Sequence, residues 1–162
     1  MAKPLFKNIL VVINNTDSSI NALKYAVIMA RQYHCKVYAI YVVDTATIRQ
    51  LTMRRFFIEE ESREYEQSLD ENGRRYLQYA DEIAREKGVK IEPMLRRGMI
   101  WSEVVAAAEE LEADMILLGG FEKGPGDPKD LLSSSAKAIL LNARCSVLVV
   151  KEKMIEKLYK IC

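Results

Sequence analysis

Met115 to Ser135 reads MILLGGFEKGPGDPKDLLSSS, and the order of its parts decides the fold. Met115 to Leu118 is a short continuous apolar run, the pattern of a central parallel strand covered on both faces, and Gly119 and Gly120 stop it abruptly. Gly124, Pro125, Gly126, Asp127 and Pro128 then form a loop without regular structure. The serines Ser133, Ser134 and Ser135 precede a helical pattern that starts near Ala136. Glycines let backbone N–H groups converge on an anion, and a helix N-terminus adds donors and the positive end of a dipole. Strand, loop and helix together suggest a phosphate cradle.

Two common phosphate motifs fail on these residues. Gly119 and Gly124 have the glycine spacing of a P-loop, but Pro125 and Gly126 occupy its Lys and Ser/Thr positions, so no side chain there reaches a phosphate or a magnesium ion. The dinucleotide fingerprint G-x-G-x-x-G is absent after the first strand, where Asn14-Asn15-Thr16-Asp17 stands instead. An ordinary surface turn remains the other reading of the glycine-rich stretch.

The rest of the chain alternates strands with helices. Ile9 to Ile13 is a short β-branched strand with Asn14 at its carboxyl end. Thr16 to Ser19 offer helix caps, and Ala22, Leu23, Ala26, Val27 and Ala30 recur at the spacing of a buried helix face ending near His34. Lys36 to Val43 is the second strand. Thr45 to Ile58 mixes basic and apolar residues and reads either as a flap over the carboxyl ends of the strands, with Arg54 and Arg55 meeting phosphates, or as a connection packed through Met53, Phe56 and Phe57. Glu59 to Lys87 predicts a long helix with a stripe of Tyr65, Leu69, Tyr76, Ala80 and Ile83. Gly88 ends it, and Val89 to Leu95 is a third strand whose Pro93 suits a sheet edge. Ile100 to Ala113 is a helix in which Trp101 serves packing, Val147 to Val150 is a fifth strand, and Glu152 to Cys162 reads as a helical tail. This pattern is that of an α/β protein, a doubly wound and mainly parallel five-stranded sheet in a single domain spanning residues 1–162.

Composition narrows the partners. With 49% hydrophobic and 29% charged residues in 162, the chain can bury one sizeable core. Lys and Arg total 24 against 23 Asp and Glu, a balance that gives no electrostatic footprint for nucleic acid or a membrane surface. The start, MAKPLFKNIL, lacks a long apolar segment, and no apolar run approaches the roughly 18–20 residues of a spanning helix, so a cytoplasmic protein is expected. Cys35, Cys145 and Cys162 with the lone His34 indicate neither a disulfide framework nor a zinc site.

Read in order, ILVVINNTDSSINALKYAVIMARQYHCKVYAIYVVD, ADMILLGG and LLSSSAKAILLNARCSVLVVK resemble the universal stress protein family (UspA-like) over nearly the whole chain. The resemblance implies strand order 3-2-1-4-5, with Asn14 and Gly119 flanking the crevice where that order reverses. It implies ATP or AMP binding in one branch of the family and a dimeric regulator without nucleotide in the other, and both readings stand for this chain. Asn14 matches the family aspartate that helps hold adenosine, and Val42 matches the strand position whose backbone faces adenine. Gly119 matches the first glycine of the signature, and Gly124 is a substitute for a displaced second one. Ser133 stands in place of the third glycine, and Ser134 matches the Ser/Thr that touches phosphate. If the missing glycine needed a positive φ, Ser133 would cost roughly 1–2 kcal/mol or reshape the loop. The resemblance further implies a homodimer paired through Val147–Val150. No catalytic set is expected, since His34 lies far from the loop and Glu122 and Asp127 belong to no metal motif, leaving slow ATP hydrolysis as the most that would be enzymatic.

Overall fold

The computed structural model describes residues 4–54, 58–120, 133–151 and 154–162. Along them run β1 (Asn8–Ile13), α1 (Asp17–Tyr33), β2 (Lys36–Asp44), α2 (Thr45–Met53), α3 (Glu59–Glu86), β3 (Ile91–Gly98), α4 (Ile100–Glu110), β4 (Met115–Gly119), α5 (Ser134–Asn142), β5 (Ser146–Val150) and α6 (Ile155–Ile161). The strands form one sheet in the order β3-β2-β1-β4-β5, every pair parallel, as the sequence and its resemblance lead one to expect.

β1 sits in the middle because nearly all of it is apolar: Ile9 to Ile13 are all buried, which suits a strand with helices on both faces. Alternation along the strands then sorts the core into two layers. Val11, Ile13, Val37, Ala39, Tyr41 and Leu117 face α1 and α3. Leu10, Val12, Ile40, Val42, Ile116 and Leu118 face α4 and α5. α6 closes the first layer by burying Ile155 and Tyr159 beside α1.

Three local readings change. Thr45–Met53 is a helix, and Met53 is 77% exposed rather than packed on the sheet. Asp44 caps it by accepting the Thr47 N–H at 3.1 Å, and Ile48 alone is buried. Arg55, Phe56 and Phe57 lie outside the described residues. β3 runs on to Gly98, because Arg96 and Arg97 stay in register with Val42 and Val43 while their guanidiniums reach Glu110 and Asp70. On α3 the stripe departs only at its start: Tyr65 is 46% exposed, Leu69 and Tyr76 pack half-buried against the core, and Gly73, Leu77, Ala80, Ile83 and Ala84 are buried where the helix overlies the sheet. Pro93 does sit on an edge strand, and Gly88 does follow α3, at φ 71°.

Candidate functional site

β1 is flanked by β2 on one side and β4 on the other, so the chain leaves the sheet in opposite senses from the adjacent carboxyl ends of β1 and β4. A cavity of about 230 Å3 opens at that point on the α4–α5 side. Val12, Val42, Ile100, Leu118 and Ile139 make its apolar wall, and Asn14, Gly119, Ser133 and Ser135 bring polar groups and backbone to it. Such a combination, apolar walls with a few convergent polar groups at a topological switch point, is the usual form of a ligand site in this architecture.

Asn14 is held by the first turn of α1. Its Oδ1 accepts the Thr16 N–H at 2.9 Å and also the Thr16 hydroxyl. Its own N–H donates to Ser19 Oγ at 3.1 Å, and the Ser19 hydroxyl has the carbonyls of Asn14 and Thr16 within 3.0 Å as acceptors. Ser19 is 1% exposed, and this knot satisfies it completely. Thr16 caps α1 by accepting the Ser19 N–H at 3.3 Å. The β1–α1 turn is thus a prearranged set of hydrogen bonds, with Asn14 exposed at the cavity.

The glycines after β4 have a packing cause of their own. A Cβ on Gly119 would lie 2.5 Å from the Ser18 carbonyl carbon and 2.6 Å from its oxygen, so only glycine lets β4 end against the start of α1. Gly120 donates its N–H to the Val150 carbonyl at 2.8 Å, where a Cβ would lie 2.6 Å from that oxygen. The first approach draws β4 against α1 beside the crevice, and the second ties the end of β4 to β5.

Ser133 departs from the strain expected if its position needed a glycine. It has φ −62° and ψ 162°, ordinary extended backbone, and it is the N-cap of α5, its Oγ accepting the Ala136 N–H at 3.1 Å. A serine there therefore costs no left-handed penalty and secures the helix, which begins at Ser134 rather than at Ala136. Ser134 and Ser135 contribute first-turn N–H groups that lack acceptors within the helix.

Asn14, Val42, Gly119 and Ser133 are thereby brought to one cavity. Ser134, one residue away, does not line it, and Ser135 does. Gly124, Glu122 and Asp127 lie outside the described residues. The cavity also takes Ser135, Ile100 and Ile139, which match no position of the family signature. The last two carry only the generic signature of core, while Ser135 shares the serine run that drew notice to its neighbours. His34 is exposed at the far end of α1, where it ends the helix at φ 57°. Among the described residues no cluster of His, Cys, Asp and Glu could hold a metal ion, and no helix is long and apolar enough to cross a membrane.

The model of the universal stress protein family matches residues 5–151. Universal stress protein MJ0531 of Methanocaldococcus jannaschii is 36% identical over 149 residues, covering 91% of this chain and 84% of that protein. Among solved structures, a universal stress protein family member from Burkholderia pseudomallei has TM-score 0.71 at 23% identity, covering 93% of this chain and all of the other. The universal stress protein from Archaeoglobus fulgidus in complex with dAMP has TM-score 0.59 at 20% identity, covering 91% and 99%. The chain belongs to the universal stress protein family.

Proposed function

We propose that this protein binds an adenine nucleotide, ATP or AMP, in the crevice between β1 and β4. The observation that carries the reading is the cavity itself. Its apolar wall suits a base, and Asn14 and the N-terminus of α5 suit sugar and phosphate. At about 230 Å3 it is smaller than the roughly 300–1,000 Å3 of pockets that enclose a drug-sized ligand, so it encloses only part of a nucleotide. The Archaeoglobus fulgidus relative solved with dAMP supports the same ligand class.

The departures from the family pattern set the strength of binding. Asn14 offers an amide where a carboxylate would form a charge-assisted bond, at a loss of about 1 kcal/mol, or roughly fivefold in affinity. Ser133, an unstrained N-cap of α5, subtracts nothing from binding. The protein is therefore a weaker nucleotide binder than relatives with the complete signature. We also assign it a homodimer through β5. That strand is a sheet edge carrying Val147, Leu148 and Val149, all half-buried, whereas the opposite edge, β3, is guarded by Pro93 and by Arg96 and Arg97 in ion pairs.

The test is to denature the purified protein and identify the small molecules released, alongside calorimetric titration of the ligand-free protein with ATP and AMP. Recovery of an adenine nucleotide, or saturable binding heat, is the expected result. Neither one would leave the fold serving as a ligand-free regulator.

A further inference from the structure

Tyr41 lies next to the cavity residue Val42 on β2 but faces the opposite layer, where it is 4% exposed. Its hydroxyl donates to Asn15 Oδ1 at 2.8 Å, a bond between the end of β2 and the β1–α1 turn. The ring is fixed from the far side by α3. Gly73 leaves room for it, since a Cβ there would sit 2.7 Å from Tyr41 Cδ1, and Tyr76 stacks on it with ring centroids 6.4 Å apart and planes 21° from parallel. Asn15 is itself exposed, so packing does not hold its side chain and the phenol supplies the tether. Burial pushes the Tyr41 phenol above its ordinary value, partly offset by the bond to Asn15 and reinforced by Tyr76 and Tyr65, so the group stays neutral and remains a donor.

We propose that Tyr41 is the positioning residue of the nucleotide crevice: by holding Asn15 against the α3 layer, its hydroxyl fixes the turn from which Asn14 meets the ligand. This rests on the nucleotide reading of the cavity. Three anchors then share the turn, Ser19 gripping the Asn14 backbone, Thr16 gripping the Asn14 side chain from within the turn, and Tyr41 tying the Asn15 side chain to the α3 layer. Removing the last leaves the chain folded but lets the turn, and Asn14 with it, leave its binding position for part of the time. Apparent affinity then falls by the fraction of molecules in which the turn is still in place.

Tyr41→Phe and Asn15→Ala remove the same bond from its two ends, and the exposed Asn15 provides a variant with little risk to folding. Each is expected to weaken ATP binding roughly fivefold, with the double variant losing no more than either single one. In the ligand-free proteins, amide hydrogen exchange should quicken at Asn14, Asn15 and Thr16 and stay unchanged along α3. Wild-type exchange and wild-type affinity in both single variants would overturn the proposal, and so would fully additive losses in the double variant. If the unaltered protein takes up no ATP, the nucleotide reading fails and takes this role with it. Normal ATP binding that both variants leave untouched removes the role of Tyr41 alone.

Discussion

Gly119→Ala tests the crevice through a single methyl group. The added Cβ would stand 2.5 Å from the Ser18 carbonyl carbon, 2.6 Å from its oxygen and 2.7 Å from its Oγ. Two of these are backbone atoms of α1, which cannot rotate away as a side-chain tip could. To regain ordinary contact, the end of β4 and the start of α1 must part by about 0.9 Å, a displacement typical of overpacking that costs about 1–3 kcal/mol. With an m-value near 2 kcal/mol/M in urea, the unfolding midpoint should fall by about 0.5–1.5 M. The same movement carries Gly119 away from Asn14 across the cavity, so ATP affinity should drop about tenfold, in keeping with the steep cost of misplacing binding groups by an ångström. Gly88→Ala is the control. Gly88 has φ 71° and open space around its Cβ position, so that substitution should cost roughly 1–2 kcal/mol through backbone strain while leaving ATP binding intact. Urea denaturation followed by circular dichroism, with calorimetric titration of both variants, measures the two effects. A Gly119→Ala protein with wild-type midpoint and wild-type affinity would refute the packing argument.

Other substitutions report on separate parts of the account. Asn14→Asp should tighten ATP binding by about fivefold in calorimetric titration, since a carboxylate keeps the Thr16 bonds and favours the N-terminus of α1, whereas adding Ser133→Gly should gain nothing further because it removes the cap of α5. Ser134→Ala should weaken binding if its hydroxyl reaches phosphate, and leave it unchanged if Ser135 serves instead. Val149→Lys, by placing a charge on the apolar edge of β5, should turn a light-scattering dimer into a monomer, whereas a wild type that is already monomeric at micromolar concentration would contradict edge pairing. The Tyr159 phenol is pushed up from 10.0 to about 12, chiefly by burial, with Glu86 and Cys162 adding and Arg31 opposing. Its neutral form is the one the fold favours, so this contribution is whole below pH 10 and lost as pH rises towards 12. Tyr159→Phe should lose about 1 kcal/mol with the bond to the Ile83 carbonyl and flatten the alkaline limb of a urea-midpoint titration.

The sheet was legible because β1 and β4 are unbroken apolar runs, which only a doubly covered strand accommodates, and because the residue pattern of the family fixed their order. α2 was not legible, since one buried residue in nine leaves no helical stripe, and the helix depends on a cap at Asp44 that looks like the end of a strand. The last residues of β3 were hidden by their charge. Arg96 and Arg97 resemble loop residues until α4 and α3 supply Glu110 and Asp70. At the site, the sequence led to Asn14, Val42, Gly119 and Ser133 but misjudged what Ser133 does, because a capping bond to Ala136 and a glycine position are indistinguishable in a row of serines. The tether from Tyr41 to Asn15 spans 26 residues, and no local pattern announces it.

The most direct measurement is to record amide chemical shifts of the isotopically labelled protein as AMP or ATP is added. Saturable changes are expected at Asn14, Val42, Gly119 and the start of α5 from its cap Ser133 to Ala136, residues of the β1–α1 turn, β2, β4 and α5 that meet at the β1–β4 crevice. No change at any nucleotide concentration, or changes confined to the apolar groove where Tyr25, Ile28, Leu148 and Leu158 bring α1, β5 and α6 together, would contradict binding at that crevice.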